Sequence, residues 1–157
     1  MNSDKDIVIT SAFRTPIGSF QGSLKDHKAT ELGTAVVKKC MEHSNLNGSE
    51  VDTVILGQVL QTGCGQNPAR QAAINSGIDK DKTATTINQV CGSGLAAVTL
   101  GFNSLKLNDT NIVIAGGQES MTNSPHYLNY RMEKNLSEEK LKDSMLIDGL
   151  IDAYDDY

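Results

Sequence analysis

Hydrophobic positions along this chain switch repeatedly between a two-residue and a helical rhythm. Residues 7–13, with Ile7, Val8, Ile9, Ala12 and Phe13, form a short β-branched run closed by Arg14, Thr15, Pro16 and Gly18. Such a run predicts a buried strand. Over residues 29–41 the rhythm is helical: Leu32, Val36 and Cys40 fall four apart, Ala29 and Val37 widen the stripe, and Lys38, Lys39 and Glu42 face water. Cys40 then reads as a small core residue. After the break at Asn47, Gly48 and Ser49, residues 51–60 predict a second strand centred on Val54, Ile55 and Leu56. A glycine-rich loop, residues 62–66, leads to Asn67 and Pro68, the favoured N-cap and first-turn pair of a helix that Gly77 ends. Residues 83–90 are β-prone, residues 92–107 helical, and residues 110–117 form a third apolar strand around Ile112, Val113, Ile114 and Ala115. Strands alternating with helices predict an α/β class with parallel units covered on both faces. After Gly117 the character changes to loop, with a charged stretch at residues 138–142, so a boundary is placed near residue 119.

Composition narrows the classes. At 157 residues the chain is long enough for one domain with a core. The hydrophobic fraction is 38%. Counting the fourteen Gly in place of the four Tyr raises it to about 44%, as in ordinary globular proteins. Net charge is -5, with Lys and Arg scattered rather than striped, which speaks against nucleic-acid binding. No apolar run approaches a membrane span of ~20 residues. The N-terminal residues are polar and acidic without a cleavage pattern, so a cytoplasmic location is expected. Cys40, Cys64 and Cys91 form neither a disulfide framework nor a CxxC pair.

Cys91 stands where a β-prone run ends and an Ala/Leu-rich helix begins, in Val90-Cys91-Gly92-Ser93-Gly94-Leu95. Free backbone N–H groups and the positive end of the helix dipole favour anions at such a junction, and with them a thiolate. The same N–H groups can receive the oxyanion formed when a thiolate attacks a carbonyl. Gly92 and Gly94 permit a sharp turn and close substrate approach. Spacing alone leaves two readings open, a nucleophile on an elbow and a buried structural cysteine.

The same six residues resemble the N-terminal active-site signature of the thiolases, CoA-dependent enzymes that join or cleave 3-ketoacyl thioesters. Arg14-Thr15-Pro16-Ile17-Gly18 resembles that family's opening loop, and Gly65-Gln66-Asn67-Pro68-Ala69-Arg70-Gln71-Ala72-Ala73 its second signature. Ala115-Gly116-Gly117-Gln118-Glu119-Ser120-Met121 resembles the third, and Asp148-Gly149-Leu150 with Asp152-Ala153 a segment of its loop domain. Within the family, residues 117–126 are most similar to the short-chain acetyl-CoA C-acetyltransferases.

The resemblance implies a layered α/β/α/β/α fold, of which this chain supplies the N-terminal half. Its sheet would be mixed but mainly parallel. Residues 1–119 would form the core half and residues 120–157 the start of the substrate-covering loop domain. It implies that Cys91 accepts an acetyl group from acetyl-CoA and passes it to a second acetyl-CoA, giving acetoacetyl-CoA, or the reverse. CoA thioesters would be substrates, with no metal and no prosthetic group. The family's activating His and second Cys lie on C-terminal motifs that do not occur here, so the isolated chain is expected to turn over poorly. Its partners would be acetyl-CoA and CoA, and either further copies in a homo-oligomer or a C-terminal half chain. His27 and His43 are expected to be solvated, His126 to lie near the covering region, and Cys64 to be structural or incidental. Gln66, Asn67 and Arg70 would support the site and contact a neighbouring subunit. Glu119 would be a buried, hydrogen-bonded carboxylate at the end of the third strand. Two other readings stay open. A ketoacyl synthase-like enzyme would lack the Gly-Gln-Asn-Pro-Ala-Arg motif, and a non-catalytic module would keep the half-fold for protein interaction.

Overall fold

Strand β1, Thr53–Gly57, is buried along all five residues and sits at the centre of the sheet. The computed structural model describes residues 6–131 and 141–155. Strand β2, Thr83–Ile87, and strand β3, Val113–Gly117, flank β1 on either side, both parallel to it. Parallel neighbours need crossovers, and helices supply them here. Helix α2, Pro68–Asn75, lies between β1 and β2, and helix α3, Ser93–Lys106, between β2 and β3. Helix α1, Ala29–His43, comes before β1.

A central strand buried on both faces needs apolar cover above and below. On one face Val54 and Leu56 pack with Val37 and Met41 of α1 and Ala69, Ala72 and Ala73 of α2. On the other, α3 buries only its small residues Ser93, Ala97 and Gly101. A Cβ on Gly101 would stand 3.0 Å from Val113 Cγ1, so helix and sheet meet almost backbone to backbone. The result is an α/β/α stack, three of the five layers that the resemblance implies. The large side chains of α3 point away from it: Leu95 is 74% exposed, and Val98, Leu100 and Phe102 are also exposed. Past β3 the chain forms only a two-residue antiparallel pair, β4 (His126–Tyr127) with β5 (Lys142–Asp143), and a π-helical turn at Leu146–Leu150.

Helix ends follow local chemistry. Asn67 caps α2 by accepting the Arg70 N–H at 3.1 Å, Pro68 follows, and Gly77 takes a positive φ of 99° just past the end. The Glu31 carboxylate accepts the Lys28 N–H at 3.0 Å at the start of α1.

Three expectations need correction. Residues 7–13 form no strand: they pair with neither outer strand of the sheet, β2 or β3, and Val8 and Ile9 are 69% and 81% exposed. The buried stripe of α1 is Ala29, Gly33, Val37 and Met41, one position away from the expected axis; Leu32, Val36 and Cys40 lie half-buried beside it. Gly33 sets that rotation, since a Cβ there would fall 1.8 Å from the Gln118 side-chain oxygen. The strands are also shorter than the apolar runs that announce them, because pairing stops where neighbours diverge. Of the charged stretch at residues 138–142, positions 138–140 lie outside the described residues. Among the described residues no helix is long and apolar enough to cross a membrane.

Asp52 latches the start of β3 to β1. Its carboxylate accepts the N–H groups of Asn111 at 2.7 Å and Ile112 at 3.1 Å, while its own N–H donates to the Ile112 carbonyl. These hydrogen bonds, the Asn111 one foremost, hold its pKa below the usual 3.8. A depressed carboxylate contributes stability above the unfolded pKa and loses it as pH falls through the folded one. Asp52→Ala is therefore expected to cost about 1 kcal/mol at pH 7, the modest end for a solvent-screened charged acceptor. Urea unfolding should show the gap to the unsubstituted chain closing below pH 3.8.

Candidate active site

The three parallel strands end on the same side, and the turn from β2 into α3 brings Cys91 there, outside their carboxyl ends. Ligands of open parallel sheets bind in this region. The close approach depends on glycine. A Cβ on Gly57 would stand 2.5 Å from Ser93 Cβ and 2.8 Å from the Gly94 nitrogen, and one on Gly117 3.5 Å from the Gly94 Cα. Bare backbone at the ends of β1 and β3 thus lets the first turn of α3 settle onto the sheet.

The turn itself is strained. Val90, immediately before Cys91, has φ 49°, a left-handed conformation that costs a β-branched residue roughly 1–2 kcal/mol. Ser93, 4% exposed, holds it there. Its hydroxyl accepts the Gln89 N–H at 2.8 Å and donates to the Val90 carbonyl at 2.6 Å. The Ser93 N–H bonds the same carbonyl at 3.1 Å, and the Val90 N–H reaches Asn88 Oδ1 at 2.8 Å. Two part-buried hydrogen bonds at about 1 kcal/mol each are of the size needed to offset the strain. Cys91 itself is exposed, and among the described residues its N–H makes no hydrogen bond.

Cys91 opens onto a cavity of about 420 Å³, within the range of small-molecule sites. Val59, Leu60, Val90, Met121, Met145 and Leu150 give it a mainly apolar lining, and Glu119 also faces it. The Glu119 carboxylate accepts the N–H groups of Val59 at 2.8 Å and Leu60 at 3.3 Å. Burial raises its pKa above the usual 4.5, opposed by those backbone N–H groups. The carboxylate is hydrogen-bonded as expected, but half-buried rather than buried. The cavity's far wall, from Met145 to Leu150, comes from beyond residue 140, which the motif reading does not single out apart from Asp148, Gly149 and Leu150.

The remaining candidates separate from this cavity. Cys64 is half-buried, its sulfur 3.2 Å from the Gln58 side-chain nitrogen, and it does not line the cavity. Asn67 and Arg70 are tied down locally: Asn67 Nδ2 donates to the Ala84 carbonyl at 3.0 Å, and the Arg70 guanidinium donates to the carbonyls of Lys80 and Lys82. These bonds pin β2 and the loop before it. Gln66 contributes only its carbonyl, which accepts from Gln71 at 2.8 Å. His27 is exposed beside Glu31, His43 is exposed with its ring edge on Phe13, and His126 is exposed 3.7 Å from Asp143. None of the three histidines faces Cys91 across the cavity. Among the described residues no group of three or more His, Cys, Asp or Glu is placed to hold a metal ion.

Residues 7–157 match the family model described as "Thiolase, N-terminal domain". The chain belongs to the thiolase family. It is 51% identical over 154 residues to the "Probable acetyl-CoA acetyltransferase" of Escherichia coli (strain K12), covering 98% of this chain and 39% of that protein. It is 49% identical to the "Acetyl-CoA acetyltransferase" of Pseudomonas aeruginosa, with the same two coverages. It is also 49% identical to a "Probable acetyl-CoA acyltransferase" of Staphylococcus epidermidis, over 96% of this chain and 39% of that protein. The chain therefore spans about 39% of the length of these thiolase relatives.

Two outcomes follow from the strain and burial at this candidate site. Ser93→Ala leaves the Gln89 N–H without its partner and is expected to destabilise the chain by about 1–3 kcal/mol. Combining it with Val90→Gly, which removes the strain, should recover part of that loss in denaturant titrations. For Glu119 the folded pKa lies above the unfolded one, so its contribution is full below pH 4.5 and fades as pH rises through the raised value. Stability measured from pH 4 upward should decline across that window in the unsubstituted chain and stay flatter in Glu119→Gln.

Proposed function

We propose that this chain carries the acyl-accepting half of a thiolase-type acyltransferase, with Cys91 as its nucleophile and acetyl-CoA as its donor. The observation that carries the reading is the setting of Cys91. It is an exposed thiol on a strained turn, at the N-terminus of a helix, opening onto an apolar cavity. The names of relatives, among them "Acetyl-CoA acetyltransferase", support acetyl-CoA as the donor.

The chemistry proceeds by exchange between thioesters. The Cys91 sulfur attacks the acetyl carbonyl carbon of acetyl-CoA, and the oxygen takes up negative charge. Collapse breaks the bond to the CoA sulfur, which leaves as a thiolate and takes a proton. The Cys91 N–H, which has no described protein partner, is available for the transient oxyanion. The acetyl group then sits on Cys91 as a thioester of similar energy. For transfer, a base removes an α-proton from a second acetyl-CoA, the carbanion attacks the Cys91 thioester carbon, and the bond to the Cys91 sulfur breaks, releasing acetoacetyl-CoA and a Cys91 thiolate that takes up a proton. The reverse sequence cleaves that product. The base, and the His that activates Cys91, are not supplied by His27, His43 or His126, which lie away from the cavity. They would come from outside residues 1–157. No metal or prosthetic group takes part in this scheme.

Residues 1–119 are read as the core half and residues 120–157 as the beginning of the covering domain; the change after β3 from a layered stack to a minimal β pair and a π-helical turn supports that division. The exposed apolar side of α3, with Leu95, Val98 and Phe102, supports an assembly in which a further copy or a C-terminal half covers it. A cytoplasmic site of action fits the sparse, unpaired cysteines. The same α3 face favours a second reading, a non-catalytic interaction module, which the following experiment separates.

The chain is incubated with acetyl-CoA, alone and together with the part of the Escherichia coli relative beyond the matched residues. Intact mass and peptide mapping then look for an acetyl adduct. An adduct on Cys91 that hydroxylamine removes, and that Cys91→Ala lacks, is the expected result, with higher occupancy when the second part is present. Folded samples without an adduct in either mixture would sink the catalytic reading and leave the interaction module.

A further inference from the structure

Glu119 lies two residues past the end of β3 and faces the cavity onto which Cys91 opens. Among the described residues it has no charged partner. Its two oxygens go instead to the N–H groups of Val59 and Leu60, at 2.8 and 3.3 Å. Those residues follow the end of β1, where neither neighbouring strand continues to offer carbonyls, and both line the same cavity. Gln118, just before Glu119, completes the grip. Its side-chain nitrogen donates to Gln58 Oε1 at 2.8 Å, and its backbone N–H donates to the Gly57 carbonyl at 2.9 Å. Two consecutive residues after β3 thus hold four consecutive residues at and beyond the end of β1.

The hold extends outward. A Cβ on Gly149 would lie 3.1 Å from Leu60 Cδ2 and 3.8 Å from Val59 Cγ1, so these side chains form the floor on which the Gly149 backbone rests. Thr62 donates to Asp148 at 3.0 Å beside it, and Leu150 closes the cavity from that side. An apolar residue at position 119 would fill space without leaving a carboxylate half-buried. What the carboxylate adds is a pair of acceptors for backbone N–H groups that would otherwise lack partners.

We infer that Glu119 is a positioning residue that holds the Val59–Leu60 rim, and through it the Gly149–Leu150 wall, at a set distance from Cys91, and so limits the size of the group that can reach the thiol. The meaning of that limit, a restriction on the acyl chain, rests on the proposed acyl transfer. The geometry does not.

The test therefore uses thiol alkylation of the whole chain, with iodoacetamide as the small reagent and N-hexyl iodoacetamide as the large one. Rates at Cys91 are read by peptide mass, with Cys40, remote from the rim, as internal reference. Glu119→Ala is expected to raise the large-to-small rate ratio at Cys91 by roughly three- to tenfold, the effect of losing two wall hydrogen bonds. The iodoacetamide rate itself should stay within about twofold, since Cys91 is already exposed. Glu119→Gln, whose carbonyl can still accept one N–H, should fall between. A ratio that is unchanged or lowered, or equal changes with both reagents, overturns the inference and leaves Glu119 a structural residue only. Where Glu119→Ala does not fold, amide hydrogen exchange in Glu119→Gln decides. Faster exchange at Val59 or Leu60 than in the unsubstituted chain supports the hold, and unchanged protection at both overturns it. Failure of the acyl-transfer reading would show separately, as an unacetylated Cys91 whose alkylation ratios still respond to Glu119.

Discussion

Everything at the candidate site depends on one steric fact, the near contact of α3's first turn with the ends of β1 and β3. Gly57 and Gly117 have no side chains to keep Ser93 and Gly94 away. A single methyl on Gly57 would overlap Ser93, and the helix would have to rise or tilt. Raising it would carry Cys91 away from the crevice at the strand ends and open the cavity floor. A parallel sheet supplies the crevice, but only the bare backbone at these positions lets a helix N-terminus reach down to it.

Polar groups then fix what the close packing allows. Ser93 grips the strained Val90 turn from the helix side, and Gln118 with Glu119 grip the segment after β1 from the β3 side. The nucleophile candidate and the wall facing it are thus both held by buried or part-buried hydrogen bonds rather than by bulk. Buried polar contacts specify distance more sharply than apolar packing because each unmade bond costs free energy. The Gln118 side-chain oxygen is the exception, buried against Gly33 of α1 without a partner among the described residues. Its other end bonds Gln58 at 2.8 Å, which fixes the orientation of the amide and leaves this oxygen facing the helix.

The opposite side of α3 has the reverse character. Leu95, Val98, Leu100 and Phe102 are exposed, while the small residues of the helix are buried. A helix apolar on most sides is built to lie between two layers, and here only one layer is present. The exposed strand-like residues Val8 and Ile9 are in the same situation. Both features fit a chain that spans about 39% of the length of its relatives.

The order of elements was legible along the chain because each carries a local signal. Asn67 and Pro68 mark the start of α2, Gly77 its end, and Val54 to Leu56 the doubly covered strand. The placement of Cys91 on a turn between a strand and a helix was legible, and the motifs around it pointed to the family that the comparisons then showed. Pairing was not legible in the same way. Residues 7–13 have the composition of a strand, but a strand exists only where another edge accepts its hydrogen bonds, and that is a property of the assembled sheet. The face of α1 that turns inward was also decided in three dimensions, by Gly33 meeting Gln118 from 85 residues further along the chain. So was the left-handed turn at Val90, a conformation that a β-branched residue does not choose by itself. Local preference determines which segments become helices and strands; contacts between distant residues decide where each one faces and what it surrounds.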